Sequence, residues 1–152
     1  MPEELAGRIP PGQYFEPGFP VLTAGPTPRV DTDSWQFKVD GMVAQPRAWS
    51  WEEFGQLAAE TVPCDIHCVT KWSKLDTSFR GVSVDTLLEG VNPQGAYAMA
   101  FSYGGYTTNL ALDDLTGGKA WVVTEHAEPG FWEQNGYHNR GDPWKEERYW
   151  ND

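Results

Sequence analysis

Cysteine is scarce in this chain: Cys64 and Cys68 are the two in 152 residues. That is too few for a disulfide scaffold. Positive charge is scarce as well, with 11 Lys plus Arg against 22 Asp plus Glu and a formal net charge of −11. Nucleic acids and anionic membrane surfaces present phosphates to a partner, so this balance excludes both as partners. No apolar run approaches the roughly 18 residues that a membrane span needs. The opening Met-Pro-Glu-Glu-Leu-Ala-Gly-Arg has no basic stretch followed by an apolar one, so no export signal is expected. Together these absences predict a reduced, cytoplasmic protein without a membrane span.

Aromatic residues are abundant: eight Trp, seven Phe and six Tyr, or 14% of the chain. Twelve Pro and 16 Gly cut the sequence into short pieces. A single domain over residues 1–152 is expected, of the α+β class, with a strand-rich mixed sheet and short helices. Residues 1–30 hold Pro2, Pro10, Pro11, Pro17, Pro20, Pro26 and Pro28. Proline has no N–H to give, so this arm is expected as coil wrapped on the core, without a ladder of its own. Tyr14, Phe15, Phe19, Val21 and Leu22 would be its buried anchors. The last segment, 127–152, carries Phe131, Trp132, Tyr137, Trp144, Tyr149 and Trp150, and is expected to pack on the body. The tryptophans read as core and tail packing ahead of a sugar-stacking platform.

Between these ends the pattern alternates. Trp35 to Val39 has period two, the mark of a half-buried strand. Ser50 with Glu53 three residues later forms a capping box, which predicts a short helix through Ala59. A strand is predicted over Asp65–Val69, ending in a polar turn at Thr70–Lys74. Val82–Leu88 reads as a short helix. Tyr97–Tyr103 and Tyr106–Leu112 read as extended segments joined by Gly104-Gly105. Asp113–Leu115 reads as a turn or a single helical turn, and Ala120–Thr124 as the last strand.

Chemistry-bearing residues concentrate in Cys64-Asp65-Ile66-His67-Cys68-Val69-Thr70-Lys71-Trp72-Ser73. Lys71 and Lys74 beside Cys68 would favour its thiolate. Several readings fit these residues. Cys64 and Cys68 could be small buried side chains. They could hold zinc, since Cys-x3-Cys lies within the ligand range, although no second cysteine pair exists. Cys68 could be a nucleophile with His67, His126 or His138 as its base. In a regular strand, Cys64, Ile66 and Cys68 would share one face and His67 the other. A second cluster, Tyr103, Tyr106, Thr107 and Thr108, flanks the two glycines, which would let backbone approach a ligand; it reads equally as a packed hairpin. His138-Asn139-Arg140-Gly141-Asp142 reads as a turn, and Lys145–Arg148 as a solvated face.

The stretch Asp65-Ile66-His67-Cys68-Val69-Thr70-Lys71-Trp72-Ser73-Lys74-Leu75-Asp76 resembles the molybdenum-ligating segment of the sulfite-oxidase-like molybdopterin oxidoreductases. That family includes the bacterial methionine-sulfoxide reductase catalytic subunit. Phe19–Pro26, Ser34-Trp35 with Val39–Val43, Phe79–Val82 with Leu87-Leu88, Gly105–Leu110 and Pro129–Glu133 resemble family stretches in the same order. The resemblance implies the sulfite-oxidase molybdopterin-domain type of fold and molybdopterin (the molybdenum cofactor). It implies that Cys68, and not Cys64, ligates molybdenum beside the two dithiolene sulfurs. It implies oxygen-atom transfer on a small S- or N-oxide or sulfite-type substrate, with the metal cycling between Mo(VI) and Mo(IV). Gln13, Tyr14, His67, Cys68, Ser102 and Tyr103 are the implied cofactor contacts, and Tyr106 lies at the implied site mouth. With no haem segment in the chain, electrons would pass to or from a separate partner.

One departure stands out. Family members carry, between the last strand and the Pro-Gly-Phe-Trp stretch, a Gly-x-Pro-x-Arg motif and an aromatic-x-Lys motif that anchor the pterin and its phosphate. Here His126 is followed directly by Ala127, and both motifs are absent. This keeps two alternatives open: a cofactor-free relative acting as a binding or scaffold module, and a small zinc protein using Cys64 and Cys68.

Overall fold

A computed structural model describes residues 5, 7–23 and 25–126. In chain order the strands are β1 (Tyr14–Phe15), β2 (Gln36–Val39), β3 (Arg47–Ser50), β4 (Ala59–His67), β5 (Trp72–Ser83), β6 (Tyr97–Phe101), β7 (Thr107–Ala111) and β8 (Trp121–His126). Three short helices join them: α1 (Trp51–Gly55), α2 (Val84–Leu88) and α3 (Leu112–Leu115). This mixed-sheet architecture with short helices is compatible with the α+β expectation.

The organising element is β5, 12 residues long. Strand β4 runs antiparallel along it, from Ala59 opposite Val82 to His67 opposite Ser73. On the other edge β1 pairs in parallel with Trp72 and Ser73, and β8 pairs antiparallel with Phe79–Ser83. Hairpins β2–β3 and β6–β7 form separate two-stranded sheets. The core lies between the main sheet, the β2–β3 hairpin and the first two helices. Trp49, Phe54, Val82 and Leu87 are buried there, with Trp35, Phe37, Val39, Leu57, Ala59 and Val122 around them.

Several expectations need correction. The arm does join a ladder, because Gln13–Glu16 is a proline-free window between Pro11 and Pro17 whose N–H groups are free to pair. Phe15 and Phe19 are half-buried, but Tyr14, Val21 and Leu22 are exposed. The Ser50–Glu53 capping box is present in both directions, yet α1 ends at Gly55. Ala59, expected as helix, opens β4, which ends at His67 rather than Val69. Trp72–Lys74, expected as turn, is buried strand. Alternation was invisible there because Trp72, Ser73, Lys74 and Leu75 are all buried. Val82 and Ser83 belong to β5, and Ser83 caps α2 by accepting from the Asp85 N–H. Strand β6 ends at Phe101, short of Tyr103. The packing expected of 127–152 lies outside the described residues.

Candidate functional site

Strands β4 and β5 are joined by a tight turn, and Cys68 is its first residue. The Cys68 N–H donates to the Trp72 carbonyl at 2.9 Å, and the Lys71 N–H donates to the Cys68 carbonyl at 3.0 Å. Lys71 takes φ 74° to close the turn. Val69 at the tip is 95% exposed, whereas Cys68 is half-buried. The turn thus lifts a thiol out of the sheet without hiding it.

The Thr70 hydroxyl donates to Cys68 Sγ at 3.1 Å. This hydrogen bond, with the backbone N–H groups of Thr70 and Val69, holds the Cys68 thiol below the usual thiol range. The direction matches the sequence expectation, but the cause differs. Lys74 turns inward, is buried, and donates to the Pro17 carbonyl at 3.1 Å. Cys64 moves the opposite way: burial, then the Asp65 charge, push its thiol up. Replacing Thr70 by Val should therefore move Cys68 alkylation to higher pH. Iodoacetamide labelling of cofactor-free protein across pH, read by mass spectrometry, should show Cys68 reacting at lower pH than Cys64. Cys64 reacting first, or an unchanged Cys68 profile in Thr70→Val, would contradict the assignment.

The N-terminal arm crosses this turn. The Tyr14 N–H donates to the Lys71 carbonyl and the Glu16 N–H to the Ser73 carbonyl, each at 2.9 Å. Gln13 Nε2 donates to the Cys68 carbonyl at 3.3 Å. Ser73 Oγ donates to Gln13 Oε1 at 2.5 Å and lies 2.9 Å from His67 Nδ1. Further along, Arg8 bridges Asp65 at 2.8 Å and Asp76 at 2.7 Å. Asp76 takes φ 56° at the β4–β5 bulge, and its N–H donates to the Asp65 carboxylate at 2.9 Å. That N–H, followed by Arg8, keeps the Asp65 carboxyl below its usual range. The bulge also ends the simple alternation of faces expected from Cys64 to Cys68.

Four of the predicted site residues, Gln13, Tyr14, His67 and Cys68, therefore meet at one turn. Ser102, Tyr103 and Tyr106 sit elsewhere, on the β6–β7 hairpin. There the Ser102 N–H donates to the Tyr106 carbonyl, and Ser102 Oγ accepts from the Tyr106 N–H. Tyr103 Oη accepts from the Gln36 N–H at 2.8 Å and donates to the Gln36 carbonyl at 3.2 Å, pinning the hairpin to β2. Tyr106 is exposed. Among the described residues no hydrogen bond links this hairpin to the Cys68 turn. Beneath it lies an apolar cavity of about 870 Å³ bordered by residues such as Phe37, Val39, Leu87 and Leu110, with no residue of the Cys68 turn.

Among the described residues the nucleophile and zinc readings are not better supported. His67 Nδ1 is engaged by Ser73. His126 Nε2 is engaged by Thr77 Oγ1 at 2.8 Å, and its ring stacks edge-on against Phe19 and Phe79. His138 lies outside the described residues. Among the described residues no three His, Cys, Asp or Glu side chains gather as a metal site. Sequence reasoning missed Ser73 and Thr70 as working members of the turn, and Arg8 as its distant clasp. The first two were in view as the hydroxyls of the cysteine window; Arg8, 57 residues from Asp65, left no local signal.

The donor chemistry fits a molybdenum cofactor at its metal-binding end. A soft, partly exposed sulfur with a stabilised anion suits a high-valent metal. Hydrogen-bonding groups on Gln13, His67 and Ser73 lie beside it.

Residues 24–140 match the oxidoreductase molybdopterin-binding domain family. The uncharacterized oxidoreductase YuiH of Bacillus subtilis strain 168 is 33% identical over 186 residues, covering 96% of this chain and 94% of that protein. That alignment is longer than the 152-residue chain, so the relative carries stretches this chain lacks. No solved structure matches with significance. The chain belongs to the sulfite-oxidase-like family of molybdopterin-binding oxidoreductases, and molybdopterin is its cofactor.

Proposed function

We propose that this protein is a molybdenum-dependent oxidoreductase that transfers an oxygen atom to or from a small S- or N-oxide or sulfite-type substrate, with Cys68 as the protein ligand to the metal. The observation that carries this is the Cys68 turn: a half-exposed thiol held toward its anion by Thr70 and two backbone N–H groups. Bound molybdopterin supplies the two-electron chemistry. The chain supplies position and charge. The turn hydrogen bonds fix the backbone of Cys68, and the Thr70 hydrogen bond biases Sγ toward its anion, the better donor. Gln13 ties the arm to the same turn.

Tyr14 and His67 are proposed cofactor contacts, being exposed side chains on either side of this turn. Ser102, Tyr103 and Tyr106 stay in the proposal on the family resemblance alone, with Tyr106 as an exposed residue facing substrate access. Electrons are proposed to pass through a separate protein partner. A single domain and a cytoplasmic location belong to the same proposal; the two unpaired cysteines support a reducing compartment. No helix among the described residues is long and apolar enough to cross a membrane.

The deciding experiment is an absorption spectrum of the purified protein with molybdenum quantification. A thiolate-to-metal charge-transfer band with near-stoichiometric molybdenum is the expected result. A molybdenum-free protein from cells that load other members of this family would overturn the proposal.

A further inference from the structure

We infer that Gln13 and Ser73 are positioning residues that hold His67 in a single tautomer, with Nδ1 protonated and Nε2 kept as a hydrogen-bond acceptor for the ring donors of molybdopterin. The inference rests on the assignment of the Cys68 turn as the cofactor site.

It follows from counting protons along one chain of contacts. The Cys68 carbonyl can only accept, so the Gln13 amide must present its NH₂ there, with Nε2 at 3.3 Å. Gln13 Oε1 then faces Ser73, whose hydroxyl lies 2.5 Å away. A carbonyl oxygen offers no proton, so Ser73 is the donor. A hydroxyl has one hydrogen. Ser73 Oγ therefore has only lone pairs left for His67 Nδ1 at 2.9 Å, and Nδ1 must carry the proton. In a neutral imidazole the lone pair then sits on Nε2.

Two features make this order hard to reverse. Ser73 is fully buried, so leaving its hydroxyl without an acceptor is costly. Its backbone is also held, paired with β1 through the Glu16 N–H on one side and with His67 across β4 on the other. His67 is exposed, so its ring edge is open to a ligand. The donors on such a ligand would be the ring N–H and exocyclic amino groups of the pterin. One arm residue thus does two things: it pins the backbone of Cys68 and, through Ser73, sets the polarity of the neighbouring ring. This role is separate from ligation by sulfur.

The test is nitrogen NMR of the full chain labelled with ¹⁵N-histidine. Spectra are recorded at a pH high enough that the ring nitrogen signals no longer move, so that the ring is neutral. His67→Gln identifies the signals. The native chain should show the Nδ1–H form. Gln13→Ala frees the Ser73 hydroxyl to donate to Nδ1, so His67 should move toward the Nε2–H form. Gln13→Glu keeps an acceptor for Ser73 and should retain Nδ1–H, a distinction that a merely structural role for Gln13 would not produce. Gln13 lies on the arm and is only half-buried, so these variants probe the relay without emptying the core. An Nε2–H form in the native chain, or no change in Gln13→Ala, overturns the relay. Pterin content, read from the fluorescence of the released and oxidised ring, should fall roughly tenfold in Gln13→Ala. A correct tautomer with unchanged pterin content overturns the acceptor role. Both readouts are independent of the molybdenum spectrum that judges Cys68 itself, so either conclusion can fail alone.

Discussion

Cys68→Ser should yield a folded protein that has lost its molybdenum and its turnover, while Cys64→Ser keeps both. The two residues lie on the same hairpin, but their environments differ in kind. Cys68 is a turn residue whose sulfur accepts from Thr70 and is biased toward the anion. Cys64 faces Thr77 within the β4–β5 ladder, and its surroundings favour the neutral thiol. A serine oxygen at position 68 would keep the size of the side chain. It would be a harder donor that stays protonated at neutral pH, so it offers neither charge nor softness to the metal. Disturbing outer partners of a metal site typically costs about 10–100-fold. Removing the proposed direct ligand should cost at least the upper end of that range. Molybdenum content per chain and substrate turnover check the effect on the site, and circular dichroism checks the fold. Loss of the metal from Cys64→Ser with retention in Cys68→Ser would reverse the assignment.

The part of this site that could be read from sequence is the part made of neighbours in the chain. His67 adjoins Cys68 and the Ser50–Glu53 cap is likewise local, so each showed as a pattern; Thr70, two residues beyond Cys68, was in view as a hydroxyl but its hydrogen bond to Sγ was not. What joins Gln13 to Ser73, 60 positions away, is a parallel pairing of β1 with β5. The proline count of the arm argued against any such pairing, because it averages over a window that contains the proline-free stretch 13–16. Strand β5 escaped for a different reason. Period two appears where one face of a strand meets water, and Trp72–Leu75 meets water on neither. The reversal of Lys74 was also beyond composition. Next to a thiol in sequence, a lysine suggests an electrostatic neighbour; in a strand its side chain is sent inward to the Pro17 carbonyl.

The shape of that strand sets up the second large effect, at Gly81. A Cβ built there would collide with the Val122 carbonyl oxygen and lie 2.6 Å from Val123 Cα. Both are backbone atoms of β8, so no side-chain rotation relieves the clash. Gly81 sits where the β5–β8 register shifts, opposite Val123. Glycine is needed there for close approach of two backbones, since its φ is not among the positive values. Overpacking alone costs about 1–3 kcal/mol. Prising β8 away would add the loss of ladder hydrogen bonds at about 1 kcal/mol each. Gly81→Ala should therefore destabilise by about 3 kcal/mol or more. At roughly 2–4 °C per kcal/mol for a chain of this size, the melting temperature should fall by about 6–12 °C. Gly55→Ala is the control: nothing lies within 4 Å of its Cβ position, and its φ is ordinary. It should be neutral or slightly stabilising. Thermal unfolding followed by circular dichroism compares the two, and equal melting temperatures would show that β8 yields without cost. The consequence reaches the proposed cofactor site at the Cys68 turn. His126 at the end of β8 bonds Thr77 and packs with Phe19 and Phe79. Phe19 in turn packs on Trp72 and belongs to the arm that presents Gln13. Loosening β8 should thus lower pterin retention in Gly81→Ala below what its residual folded fraction would give, because the strand that closes the sheet also anchors the arm over the turn.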